Sequence, residues 1–189
     1  MNKHDHCAPA NKNGSDTTSQ PLVVFAHGKE SGPWGSKIRH LADIAQTFGC
    51  QVLSPDYSDL AAPEQRIRRL LSLELPPHDK LVLVGSSMGG YVATAASRHL
   101  HPAALFLMAP AFGMPDYPEA YPVPDAGRIC VVHGWRDDIV PVEQGIRFAE
   151  SHKATLHVLD ADHRLNSVLP KLGRLFADFL DTTLDSRND

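Results

Sequence analysis

The chain has 189 residues, with 18 Lys and Arg against 22 Asp and Glu, a formal net charge of −4 and 42% hydrophobic residues. That length suits a single domain with a substantial core, and charges of both signs lie interspersed without a basic block, which argues against nucleic acid or an anionic membrane surface as a partner. The three cysteines, Cys7, Cys50 and Cys130, have neither metal nor redox spacing, which argues against a disulfide framework and a metal site.

Residues 1–20 are polar and read as a disordered tail, in which His4 and His6 beside Cys7 are incidental rather than a metal site. They lack the apolar core of a signal peptide, and no later stretch is long enough to span a membrane, so a cytoplasmic location is expected. Residues 21–181 read as the domain and 182–189 as a flexible terminus. The run Leu22 to Ala26 is a strand that ends in His27-Gly28, followed by a helix at about 35–48 and a short strand at Gln51 to Ser54. In Ser54-Pro55-Asp56-Tyr57, Asp56 is read as stabilising a turn. A helix over 63–75 carries Arg66, Arg68 and Arg69, the one dense basic cluster, read as a solvated face. The strand Leu81 to Val84 runs into Gly85-Ser86-Ser87-Met88-Gly89 and then an Ala-rich helix at 88–100. A strand at Ala104 to Met108 precedes a proline-rich stretch, Ala109 to Arg128, that is too short and too proline-rich for a helical lid. The strand Ile129 to Val132, in which Cys130 reads as a small buried hydrophobe, leads into His133-Gly-Trp-Arg-Asp137-Asp138-Ile-Val-Pro141. A helix at 142–151, a strand at Thr155 to Leu159, the sequence Asp160-Ala-Asp-His163, and a last helix at about 165–180 complete the chain. In that last helix Val168, Leu172, Leu175, Phe176 and Phe179 recur at helical spacing and form a packing stripe. Six short apolar strands alternating with helices predict an α/β fold with a parallel sheet covered on both faces.

The G-x-S-x-G spacing around Ser87 is that of a serine held on a tight strand-to-helix turn, where flanking side chains would collide with the backbone. A Gly/Ser-rich turn without chemistry has the same letters, so the context decides. A serine hydroxyl needs a base, an acid to orient that base, and donors for the oxyanion. Carboxylates follow the fifth strand at Asp137 and Asp138, and His163 follows the sixth. The order Ser, Asp, His would place all three at the carboxyl edge of one parallel sheet, where open α/β folds bind ligands.

With these motifs, residues 21–181 resemble the α/β-hydrolase family. The resemblance implies a minimal α/β-hydrolase fold with no helical cap and a spatial strand order of second, first, third, fourth, fifth, sixth. It implies that Asp137 is the acid, with Asp138 the neighbouring alternative, and that His163 is the base. The amide of Lys29, after His27-Gly28, and that of Met88 become the oxyanion donors, with Glu30 the alternative to Lys29 because the chain departs from the HGGG form. His27 is then a structural group of the loop. Without a lid, the site is rimmed by loops, and Trp34, Phe112, Met114, Tyr117, Tyr121 and Trp135 are the candidate pocket walls.

The function expected is a serine hydrolase of small carboxylic esters acting through an acyl-enzyme without cofactor or metal. The alternatives are an acyl thioesterase, a peptidase for small substrates, or a non-catalytic binding protein on the same fold. The expected partner is a small-molecule ester or thioester substrate.

Overall fold

The computed structural model describes residues 19–185, so the polar tail up to residue 18, with His4, His6 and Cys7, lies outside the described residues. In chain order the elements are β1 (Leu22–Ala26), α1 (Ser36–Thr47), β2 (Gln51–Leu53), α2 (Pro63–Leu71), β3 (Leu81–Ser86), α3 (Met88–Leu100), β4 (Ala104–Met108), β5 (Arg128–Gly134), α4 (Val142–His152), β6 (Thr155–Leu159) and α5 (Leu169–Leu184). All six strands are parallel, in the order β2-β1-β3-β4-β5-β6.

Successive side chains of a strand point to opposite faces, and both faces here are buried. Val23, Phe25, Val82, Val84, Phe106 and Met108 face one core, packed against Ile38 and Leu41 of α1 and Phe176, Phe179 and Leu180 of α5. Leu22, Val24, Leu83, Leu105, Leu107 and Val131 face the other, against Leu70 of α2, Tyr91 and Val92 of α3, and Phe148 of α4. The strands β1 and β4 are therefore apolar and buried at every position and β3 is buried throughout, while the edge strands β2 and β6 keep partly exposed residues. Phe106 meets Phe176 edge-on at 5.0 Å between ring centroids; removing either ring would cost about 3 to 5 kcal/mol.

The register sets where the chemistry lies. Ala26 pairs with Gly85, Ser86 with Met108, Met108 with Val132, and Gly134 with Leu159. The residues that follow these pairs, His27, Ser87, Ala109 and Asp160 among them, share the carboxyl edge of the sheet.

Three helix boundaries differ from the sequence reading by more than a residue. The second helix stops at Leu71, four residues early, because Leu73 and Leu75 turn back onto the core ahead of Pro76-Pro77. The last helix begins late: Leu165 is left-handed (φ 57°), Asn166–Val168 form a 3₁₀ turn, and α5 starts with Pro170 in its first turn, where a missing amide costs nothing. It then runs on to Leu184, past the expected helix end at about 180. The segment between β4 and β5 contains no helix, so the fold has no cap. No helix among the described residues is long and apolar enough to cross a membrane.

Candidate active site

Ser87 sits between β3 and α3 with φ 54° and ψ −120°, a conformation costing about 1 to 3 kcal/mol in a non-glycine residue. Its neighbours show why the turn demands glycine. A Cβ at Gly89 would stand 1.9 Å from the Ala26 carbonyl oxygen, and one at Gly85 would stand 2.4 Å from the Gly89 carbonyl oxygen. The turn is pinned to the end of β4: the Ser87 amide donates to the Met108 carbonyl (2.9 Å), and the Ser87 carbonyl accepts from the Ala111 amide (3.0 Å).

The structure brings Ser87, His163 and Asp137 together. Ser87 Oγ lies 2.9 Å from His163 Nε2, and His163 Nδ1 lies 2.8 Å from Asp137 Oδ2 and 3.0 Å from Oδ1. With Nδ1–H donating to the carboxylate, Nε2 is left as the acceptor for the serine hydroxyl. The Asp137 carboxylate is fully buried and also accepts from the amides of Ile139 (3.0 Å) and Val140 (2.8 Å). Burial pushes its pKa up, but hydrogen bonds from His133, His163 and Val140 outweigh that and hold the carboxyl well below the usual carboxylate range. Asp138 is exposed to solvent and makes none of these contacts. The two loops are tied to each other, since the amides of Trp135 and Arg136 donate to the carbonyls of Leu159 (2.8 Å) and Ala161 (3.0 Å).

Three side chains around this centre were not singled out for the roles they take. His133, fully buried, shares its Nε2–H between the Val140 carbonyl (2.9 Å) and Asp137 Oδ2 (3.1 Å). Its position four residues before Asp137 was the available signal. Lys37, in the first turn of α1, donates to Ser86 Oγ at 2.9 Å; burial lowers its pKa to about 8, although Asp162 and Asp137 pull it upward. Arg66 corrects the sequence reading outright. It is 2% exposed rather than solvated, and its hydrogen bonds go to backbone carbonyls inside the protein. Of its neighbours, Arg68 is exposed and Arg69 makes a two-pronged ion pair with Asp59.

His27 behaves as the structural group expected. Its Nε2 accepts from the Tyr57 amide (2.9 Å), which leaves Nδ1–H to donate to the Gly28 carbonyl (2.8 Å). Burial lowers the pKa of this ring, favouring the neutral form that the pattern requires. Asp56 accepts from the Ser58 amide and hydroxyl in a turn, as read from the sequence. Gly28 lies against the elbow: a Cβ there would meet Ser87 Cβ and the Ser86 carbonyl oxygen, each at 3.4 Å. Lys29, the next residue, is therefore beside the serine, as is Met88 at the start of α3.

The pocket residues divide. Phe112 is no pocket wall: it is fully buried and stacked on Phe148 at 4.3 Å. Tyr117 packs edge-on against Tyr91 at 4.7 Å, and the Tyr121 hydroxyl donates to Gln144 Oε1, so both tie the β4–β5 loop to the domain. Met114 is half-buried on the same loop. Trp34 and Trp135 are open to solvent, at 41% and 59% exposure, on the β1–α1 and β5–α4 loops. A shallow concavity between α1 and α5, lined by His40, Ile44 and Gly173, and another at Arg128, His157 and Phe179, both lie away from Ser87.

Comparison with known proteins gives a consistent picture. The model of the alpha/beta hydrolase family matches residues 23–185. The pFDCC methylesterase MES16 of Arabidopsis thaliana is 34% identical over 95 residues, which cover 44% of this chain and 36% of that protein; the match thus spans about a third of the curated relative. A protein of the alpha/beta hydrolase superfamily from Xanthomonas campestris pv. campestris has a solved structure that is 33% identical, with a TM-score of 0.75 over 85% of this chain and 98% of that one. The structure of Est1E from Butyrivibrio proteoclasticus shares the fold at 16% identity, with a TM-score of 0.77 over 90% and 91% of the two chains.

Proposed function

The chain belongs to the alpha/beta hydrolase family, and from that premise we propose that it is a serine hydrolase that cleaves small carboxylic esters through an acyl-enzyme. The observation that carries this reading is the continuous line of hydrogen bonds from Ser87 Oγ through both nitrogens of His163 to the buried Asp137 carboxylate. His163 Nε2 takes the hydroxyl proton as Ser87 Oγ attacks the ester carbonyl, and Asp137 holds the ring in the tautomer this needs and stabilises the imidazolium that forms. The amides of Lys29 and Met88 receive the oxyanion, an interaction in which one lost donor costs about 3 to 4 kcal/mol of barrier. The imidazolium then gives its proton to the departing alcohol, and a water activated by the same ring releases the acid. The uncapped carboxyl edge suits substrates small enough not to need enclosure, and the partial match to a methylesterase supports an ester rather than another acyl bond.

Hydrolysis of p-nitrophenyl esters from acetate to palmitate, compared between wild type and Ser87→Ala, tests the reading. Turnover that depends on Ser87 and peaks at short chains is expected. A long-chain optimum would replace small esters by lipids or acyl thioesters, and turnover retained in Ser87→Ala would remove the nucleophile.

A further inference from the structure

Arg66 is a buried cation whose hydrogen bonds all go to main-chain carbonyls. Its Nε–H donates to the Leu60 carbonyl at 2.8 Å, its Nη1–H is shared between the carbonyls of His27 and Gly28 at 3.2 Å each, and its guanidinium stands 5.7 Å from the Tyr57 ring centre. Burying a charge with neutral acceptors alone is costly, and a leucine or methionine would fill a core position at less expense. The acceptors explain the choice. The Gly28 carbonyl and the Lys29 amide belong to one planar trans peptide, so fixing the direction of the C=O fixes the N–H in the opposite direction. That carbonyl is held from two sides, by Arg66 Nη1 and by His27 Nδ1–H. Gly28 lacks the Cβ that would otherwise bias this peptide against flipping, and it is the residue packed against Ser87 Cβ. A positive charge on the carbonyl side also polarises the amide, making its N–H a stronger donor.

We propose that Arg66 is a positioning residue of the oxyanion hole, its guanidinium clamping the Gly28–Lys29 peptide so that the Lys29 N–H faces the site where negative charge develops on the substrate. This rests on the assignment of Lys29 as an oxyanion donor made above. Arg66 touches no reacting atom; it acts through the peptide. Because the clamp matters most when charge has developed, its loss lowers kcat and leaves KM nearly unchanged.

The test compares wild type, Arg66→Met, Arg66→Lys and Arg66→Ala on p-nitrophenyl acetate, with thermal melts to verify folding. For folded Arg66→Met, kcat should fall about 100-fold, in line with loss of one oxyanion donor, with KM within about twofold. In Arg66→Ala, millimolar guanidinium chloride should restore kcat at least about tenfold where equal sodium chloride does not, a response that a merely structural role would not give. Should the methionine variant fail to fold, Arg66→Lys carries the test: one amine cannot reach Leu60 and Gly28 together, and kcat should drop at least about tenfold. A folded Arg66→Met or Arg66→Lys with wild-type kcat overturns the clamp while leaving Ser87-dependent hydrolysis intact. A wild type without Ser87-dependent turnover overturns the functional reading and the clamp together.

Discussion

Replacing Lys37 by methionine should stabilise the protein at neutral pH and lose that benefit in alkali. The Lys37 ammonium is largely withdrawn from water beside Ser86 Oγ, and burial lowers its pKa from the ordinary 10.5 to about 8; the attraction of Asp162 and Asp137 falls short of compensating, and Arg164 adds to the lowering. The folded state thus binds this proton more weakly than the unfolded chain. Between pH 8 and 10.5 the unfolded chain carries more protons, so stability rises with pH through that window, and below pH 8 the whole penalty is present. A drop from 10.5 to about 8, at about 1.4 kcal/mol per pH unit, amounts to about 3 to 4 kcal/mol, which solvent screening of the half-buried side chain reduces to about 3 kcal/mol. Methionine forfeits the hydrogen bond to Ser86, worth about 1 kcal/mol, and so gains about 2 kcal/mol net at pH 7. For a chain of this size that is a rise of roughly 4 to 8 °C in Tm. Urea unfolding of both proteins at pH 7 and pH 10.5 measures the difference, which should vanish or reverse at the higher pH. A methionine variant less stable than wild type at pH 7, or a difference independent of pH, would refute this reasoning, since either result would mean that the ammonium is solvated or fully paired in the fold.

Glycine at position 87 should abolish turnover and yet raise stability by about 1 kcal/mol, because it adopts φ 54°, ψ −120° without the strain that serine bears; a lowered Tm would contradict this. Gly89→Ala forces a methyl group onto the Ala26 carbonyl and should cost about 2 to 3 kcal/mol in urea unfolding, with activity falling as the elbow moves; a neutral substitution would contradict the close approach. Asp137→Asn should cut kcat by about 10³- to 10⁴-fold and lower stability at pH 7 by about 2 kcal/mol. Burial opposes ionisation of Asp137, but its hydrogen bonds from His133, His163 and Val140 win and depress its pKa. The carboxylate therefore contributes stability that is fully present above about pH 4 and is lost as the pH falls further, so the gap between wild type and Asp137→Asn should close in acid. A gap that widens below pH 4 would be the opposite of this linkage.

The parts of this molecule written locally were legible in its sequence. A short apolar run such as Leu81 to Val84, bounded by Gly85, reads as a strand covered on both sides, and the crowding that excludes side chains at Gly85 and Gly89 is visible in the spacing around Ser87. The order of Ser87, Asp137 and His163 follows from each standing just past a strand of one parallel sheet. What escaped was decided by contacts distant in sequence. Arg66 looked solvated because its neighbours are charged, and the carbonyls that hold it are those of His27 and Gly28, 39 and 38 residues away. Phe112 looked like a pocket wall because it is an aromatic residue on a loop at the site, whereas Phe148 on α4 covers it. The α-helix starts at Leu169 rather than at about 165 because left-handed Leu165 and the 3₁₀ turn of Asn166–Val168 come first, and neither carries a local sign in the sequence.

The central claim is that Ser87 is a nucleophile activated through His163 and Asp137, and covalent capture tests it most directly. Wild-type protein treated with a fluorophosphonate should gain the mass of one phosphonyl group, located by peptide mass spectrometry on Ser87. Ser87→Ala should gain none, and Asp137→Asn should react far more slowly. A folded wild-type protein that stays unlabelled, or one labelled at another residue, would contradict the account.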